Sequence, residues 1–375
     1  MSPIQKALLI ASKGSGKVEV GTRPIPTPGP GQVLVKVQSA ALNPVDNLIK
    51  NIGAFADQFG YPALIGNDGA GIIEDMAADV QGWKKGDRVV IQGYWDQDRC
   101  TLQQYALSDA VRCAKIPESW SFDEAATLPL GLATAAIGLY QTPTSVPSQG
   151  IIPGQGGGAG LLAPWECGVG NYAGQAAVVF GGSSSVGQFA LTSLQSLHPI
   201  QLAKLSGFDP IITTASKNNE AYCKLAGATH VIDYHDVPYD DIPAAIARLT
   251  EKPVQLVYDA VSSEPSQKSG WAVLGRGHGG NMVIVLHPLL GFTSGQIVGN
   301  GKRLVLVHGS IQREDNHDFG AKMFGRLTAL LEKRELKPNN VQLIPGGLAG
   351  AITGLDRLSK GVSAVKLVVR PQETA

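Results

Sequence analysis

Two rhythms of apolar and polar positions divide the chain. Near the N-terminus, Gln32-Val-Leu-Val-Lys-Val-Gln-Ser39 alternates apolar with polar residues, as a strand with one buried face does. An opening strand is predicted over Lys6 to Ala11. The four prolines of Arg23-Pro-Ile-Pro-Thr-Pro-Gly-Pro-Gly31 remove backbone donors and forbid a helix there. Turns rich in Gly, Asp and Pro follow at short intervals, at Tyr61 to Gly71 and at Trp83 to Ile91, so this part reads as a compact β-rich domain. From Ala176 onward the rhythm changes to short, unbroken apolar runs separated by helical stretches. The runs are Ala176-Ala-Val-Val-Phe180, Pro210-Ile-Ile-Thr-Thr-Ala215, Thr229-His-Val-Ile-Asp-Tyr234, Val254-Gln-Leu-Val-Tyr-Asp259 and Asn281-Met-Val-Ile-Val-Leu286, with a sixth at Lys302 to Gly309. That alternation predicts a parallel, doubly wound sheet.

The joins are legible too. Ser121-Phe-Asp-Glu124 has the spacing of a capping box, so a helix starts there, and Pro129 must kink or split it before Tyr140. The helix after Gly187 puts Val186, Ala190, Leu194 and Leu197 on one face and stops at Pro199. A helix from about Asp318 to Arg334 buries Phe319, Met323, Leu327, Leu330 and Leu331. Strands at Asn340 to Ile344 and Ala364 to Arg370 are expected to return to the first domain. The expected division is therefore residues 1–128 with 338–375 for the β-rich domain and 129–337 for the nucleotide domain. Between them, Gln141 to Gln175 is mostly Gly, Pro, Ser and Gln. Its run Gly154-Gln-Gly-Gly-Gly-Ala-Gly160 mimics a nucleotide fingerprint, but no adequate strand precedes it and no helix follows, so a surface loop is expected.

Composition narrows the function. The 375 residues carry a formal net charge of zero, which speaks against a nucleic-acid or acidic-membrane partner. Cys100, Cys113, Cys167 and Cys223 form no CxxC pair, and His278, His287, His308 and His317 have no metal-ligand spacing. No apolar run is long enough to span a membrane, and Met1-Ser-Pro-Ile-Gln-Lys-Ala has no charged start leading into an apolar core, so a cytoplasmic protein is expected.

Candidate chemistry lies in three places. The strand Ala176 to Phe180 runs into Gly181-Gly-Ser-Ser-Ser-Val-Gly187, where glycines permit a pyrophosphate to approach the main chain and Ser183, Ser184 and Ser185 add hydroxyl donors; Gly182, Val186 and Gly187 complete the loop. The second strand ends in Ser216, Lys217 and Asn219 with no acid to hold a ribose diol, so a 2′-phosphate is better accommodated and NADPH is the expected cofactor, with Tyr234 flanking the adenine or that phosphate. Ser216 also reads as a cap of the following helix. In the first domain, Asn43-Pro-Val-Asp46 offers an amide and a carboxylate with Lys50 one turn on; a turn and helix cap explain the same residues equally well. Asn67-Asp68-Gly-Ala-Gly71 likewise reads as a site or as a turn between strands. The hydroxyl of Thr134 is a substrate contact or bonds back within its helix.

Taken together, Asn43-Pro-Val-Asp46, Gly66 to Gly71, Gly86-Asp-Arg-Val-Val90, Phe122 to Pro129, the Gly181 to Gly187 loop and Lys366-Leu-Val-Val369 resemble the medium-chain dehydrogenase/reductase superfamily over almost the whole chain. The pattern is most similar to its zinc-free branch of fungal trans-enoyl reductases and quinone oxidoreductases. The resemblance implies an α/β protein with a GroES-like β-rich catalytic domain and a Rossmann domain. It also implies NADPH and no zinc, since Asn43 stands where the zinc branch has a Cys, and Asn67-Asp68 where it has a His-Glu pair. The implied reaction is reduction of the carbon-carbon double bond of an enone or enoyl substrate, with Asn43, Asp46, Lys50 and Thr134 as the catalytic candidates. Quinone reduction is the alternative, and a nucleotide-binding protein without catalysis is the alternative from another class. Family habit adds a homodimer or a polyketide synthase as partner. The chain departs from the family pattern at Leu48, where many relatives have Lys, and at 161–169 and 191–199, which are longer.

Overall fold

The computed structural model describes residues 3–56, 59–147, 154–191, 202–274 and 279–375. The chain forms two compact units, one of Met1–Leu130 with Ser310–Ala375 and the other of Gly131–Gly309. The first unit reclaims the chain at Ser310, earlier than the expected residue 338. Side-chain contacts explain the difference. The helix His317–Glu332 docks within the first unit, where Thr328 Oγ1 accepts the Lys115 amide at 2.9 Å and the Trp120 indole donates to the Leu331 carbonyl at 2.9 Å. Met323, Leu327 and Leu331 of its expected apolar face are buried, Phe319 and Leu330 are half-buried and Phe324 is buried in addition; which core the helix serves depends on these contacts.

The first unit is built on a seven-stranded, mostly antiparallel sheet. Its path runs Val341–Leu343, Lys366–Val369, Gln32–Ala41, Asp68–Met76, Arg88–Gln92 and Cys113–Lys115, and Tyr105–Asp109 also pairs with Gln32–Ala41. Alternation places Val33, Val35 and Val37 in a core with Ile49, Ile73, Val89, Ile91 and Leu355. A three-stranded sheet of Glu19–Pro24, Ile4–Ile10 and Ala63–Leu64 completes the unit. The end of Gln32–Ala41 is held from both sides, because Ala41 faces Val368 on one neighbour and Asp68 on the other. Whatever follows Ala41 is therefore placed beside residues from two distant parts of the sequence.

The second unit carries the doubly wound sheet. Its order is His230–Asp233, Ile211–Ala215, Ala176–Phe180, Val254–Asp259, Gly280–Ile284, Lys302–Leu306 and Ile297–Val298. The first six strands are parallel and only Ile297–Val298 runs against its neighbour. Ala176–Phe180 is buried throughout, as a strand covered on both faces must be. The strand order reverses direction between Ala176–Phe180 and Val254–Asp259, and ligands of such sheets bind beyond the C-terminal strand ends at that point.

Ser121 and Glu124 form the expected capping box, and Pro129 separates Phe122–Ala125 from Pro129–Tyr140. The described part of the 141–175 segment differs from the surface loop expected. Thr144–Pro147 pairs with Gln155–Gly156, and Gly156, Gly157, Gly158 and Ala159 are buried. A Cβ at Gly158 would lie 1.9 Å from the Ile137 carbonyl, and Arg303 donates to the Ala159 carbonyl at 2.7 Å. The glycines are there because backbone meets backbone, which composition alone cannot distinguish from a polar loop. Pro164–Glu166 forms a short 3-10 turn within 161–169; residues 192–201, which include Leu194 and Leu197, lie outside the described residues.

Candidate active site

The glycine loop of the second unit is shaped by contacts that no side chain would permit. Gly181 has φ +75°, and its amide donates to Thr214 Oγ1 at 3.1 Å. A Cβ at Gly182 would lie 2.2 Å from Thr213 Oγ1, and one at Gly187 would lie 2.2 Å from the Gly181 carbonyl. The helix Ser185–Leu191 can therefore start directly against the strand end. Ser184 is its cap, its hydroxyl accepting the Gly187 amide at 3.0 Å, so of the three serines this one is committed to the helix. Ser183, Ser185 and Val186 are half-buried at the mouth of the loop.

At the end of Ile211–Ala215, Ser216 precedes the 3-10 turn Lys217–Asn219 and accepts the Asn219 side-chain amide at 3.0 Å. Lys217 lines a cavity of about 410 Å³ with Asp233 and Arg248. Sequence reasoning passed over Asp233, at the end of the next strand. Its carboxylate accepts the Lys217 amide at 2.8 Å and the His235 amide at 2.9 Å, and the amide of His235 above all holds its carboxyl below the usual range. Tyr234 is exposed and its ring lies 4.3 Å from that of His235.

In the first unit, four polar side chains meet at the end of Gln32–Ala41. The helix Pro44–Ile52 begins there, with Asn43 as its N-cap. Asp46 turns back to accept the Asn43 amide at 2.8 Å and the Gly66 amide at 3.1 Å. Asp46 is fully buried, and burial pushes its carboxyl up to about 7 against the lowering effect of those amides. The Asn43 side-chain amide donates to Asp68 Oδ2 at 2.9 Å and to the Ala41 carbonyl at 3.3 Å, while its oxygen accepts the Lys366 ammonium. Lys366 in turn lies 2.9 Å from Asp68 Oδ2, with both side chains buried. Asp68 Oδ1 accepts the Leu130 amide at 2.6 Å.

Asn43 and Asp46 are thus brought together, and the Asn43 amide is already bonded at both ends. Lys50 is turned elsewhere, forming an ion pair with Asp356 at 3.2 Å. Thr134 belongs to the second unit, where it is buried and its carbonyl accepts the Tyr258 hydroxyl at 2.8 Å. Lys366 was not read as a site residue. It lies 323 positions from Asn43, and only the sheet register of Lys366–Val369 beside Gln32–Ala41 joins them.

Residues 29–155 match the alcohol dehydrogenase GroES-like domain family, and residues 197–314 match the zinc-binding dehydrogenase family. The trans-enoyl reductase himH of Aspergillus japonicus is 30% identical over 90% of this chain and 89% of its own. The dehydrogenase orsE of Emericella nidulans is 29% identical over 96% and 97%. A solved structure described as a putative zinc-dependent alcohol dehydrogenase from Rhizobium etli covers 99% of both chains with a TM-score of 0.73 at 19% identity, a likeness of fold. The chain belongs to the medium-chain dehydrogenase/reductase superfamily, a family of nucleotide-binding oxidoreductases, and has its GroES-like and Rossmann domains.

Zinc, which two of the matched descriptions name, finds no ligand set among the described residues. Among the described residues no group of three or more His, Cys, Asp or Glu side chains could hold a metal ion. Asn43 and Asn67 supply neutral amides, and of the two carboxylates beside them Asp68 is already paired with the ammonium of Lys366 and Asp46 with the Asn43 and Gly66 backbone amides. Among the described residues no helix is long and apolar enough to cross a membrane.

Proposed function

We propose that this oxidoreductase uses NADPH to reduce the carbon-carbon double bond of an α,β-unsaturated carbonyl compound, without zinc. The observation that carries the reading is the cluster at Asn43. Asp68 is neutralised by a lysine, in a chain 30% identical over nine tenths of its length to a trans-enoyl reductase. Alcohol oxidation in this fold calls for a Lewis acid on an alkoxide, whereas conjugate reduction needs only hydrogen-bond donors where negative charge develops on the carbonyl oxygen.

Bound NADPH would supply the hydride that adds to the β-carbon. The chain's own part begins at Gly182 and Gly187, whose missing side chains let the helix start directly against the strand end, where a diphosphate would lie on the backbone of Ser183 to Val186. Ser216, Lys217 and Asn219 would hold a 2′-phosphate, and Tyr234 would flank the adenine or that phosphate. Asp46 fixes the Asn43 and Gly66 amides, and Lys366 holds Asn43 and Asp68, so the strand end is rigid and its carboxylate charge is balanced. A proton from solvent then reaches the α-carbon, completing addition of one hydride and one proton across the double bond.

The test is the fate of label. NADPH deuterated at nicotinamide C4, on the face that is transferred, should place deuterium at the β-carbon of an enone or enoyl thioester, and D₂O should label the α-carbon. Recovery of an allylic alcohol, or of unreduced acceptor, would overturn the assignment.

A further inference from the structure

Two asparagines flank the start of Asp68–Met76, and they differ in what their side chains have left to give. Asn43 is bonded at both ends of its amide. Asn67 is only 1% exposed, and its Nδ2 is buried with no hydrogen-bond partner. Its backbone is fixed on both sides: the Asn67 carbonyl accepts the Gly93 amide at 2.8 Å, the Gly66 carbonyl accepts the Thr101 amide at 3.0 Å, and the Gly66 amide is held by Asp46 at 3.1 Å. A Cβ at Gly66 would come within 2.5 Å of the Leu102 amide nitrogen, so the backbone cannot easily move to find the orphan donor a partner.

Buried donors are almost always paired, because an unpaired one carries the full cost of leaving water. The Asn67 donor persists on a rigid turn next in sequence to Asp68, the carboxylate of the polar cluster, with its needs unmet by the protein itself. It is shielded from water, and it need not reorganise when charge develops. The adjacent carboxylate would oppose that charge if it stood alone, but Lys366 at 2.9 Å from Asp68 offsets it. We infer that the Asn67 side-chain amide donates to the carbonyl oxygen of the α,β-unsaturated substrate and stabilises the enolate, the role sequence reasoning had given to Asn43. This rests on the reaction proposed above. It predicts a substrate class whose carbonyl is conjugated to the double bond, with a free oxygen able to accept.

The experiment compares wild type with Asn67→Leu, Asn67→Asp and Asn67→Gln. An enoyl thioester is reduced with NADPH, and NADPH affinity and the thermal midpoint are measured in parallel. Leucine matches asparagine in shape without the donor, so Asn67→Leu should lower kcat by about 100-fold while KM changes by less than about threefold. NADPH affinity should be unchanged and the midpoint equal or higher, since an orphan polar group has been removed. Asn67→Asp should lose as much, and Asn67→Gln should recover part of the rate. A kcat within threefold of wild type in Asn67→Leu, or activity lost only in step with the thermal midpoint, overturns the assignment. A wild type that reduces no unsaturated carbonyl compound overturns the proposed function, and the role of Asn67 with it.

Discussion

Replacing Lys366 with methionine removes the cation from a buried cluster while keeping most of the side chain's volume. Lys366 and Asp68 are 4% and 0% exposed at their side chains and lie 2.9 Å apart. Breaking such a pair from one side leaves a carboxylate uncompensated, at about 3–5 kcal/mol. Asp68 would keep the Leu130 amide at 2.6 Å and the Asn43 amide at 2.9 Å, so the low end applies, about 3 kcal/mol. For a unit of this size that corresponds to a fall of about 6–12 °C in the thermal midpoint. Scanning calorimetry of the cofactor-free protein reads it directly. The double variant Lys366→Met with Asp68→Asn restores neutrality and still offers the Leu130 amide an oxygen, so it should regain at least about half of the loss. A midpoint within 2 °C of wild type for Lys366→Met, or a double variant no more stable than the single, would refute the reasoning.

Three further outcomes follow from the geometry. Because burial raises the Asp46 carboxyl to about 7, the folded protein keeps a proton that the unfolded chain releases near pH 4. Stability should therefore fall as pH rises from about 4 to 7, by up to about 1.4 kcal/mol per pH unit, and level off above; Asp46→Asn should lack this component in urea titrations at stepped pH. Gly182→Ala drives a methyl to 2.2 Å from Thr213 Oγ1 and 2.4 Å from Leu191 Cδ1, and should weaken NADPH binding at least about tenfold by fluorescence titration while lowering the thermal midpoint. Lys217→Ala should raise the NADPH dissociation constant by about tenfold and leave NADH nearly unaffected; an equal loss for both would remove Lys217 from the 2′-phosphate site.

Much of the second unit was legible because its chemistry is local. Strand, glycine turn and helix follow one another between Ala176 and Leu191, and each glycine answers a steric demand made by near neighbours or by the adjoining strand at Thr213. The first unit's site was legible only in pieces. Asn43 with Asp46 and Asn67 with Asp68 stand out as short motifs, but their closing member, Lys366, is brought in by strand pairing across most of the sequence. Lys50 drew attention for its spacing in the helix, yet that face of Pro44–Ile52 meets Asp356. The glycine run at 154–160 misled for the opposite reason: its composition is that of a loop, while its purpose is close backbone packing beside Ile137 and Ser294. Nothing in the sequence distinguishes the bonded Asn43 from the unbonded Asn67, because the difference lies in which atoms surround them.

The most direct measurement is the loss of NADPH absorbance when the protein is offered an enoyl thioester, an alkyl enone and a quinone in parallel. Double-bond reduction predicts consumption with the enoyl thioester or the enone and none with the quinone. Consumption with the quinone alone, or NADPH binding without consumption by any acceptor, would contradict it.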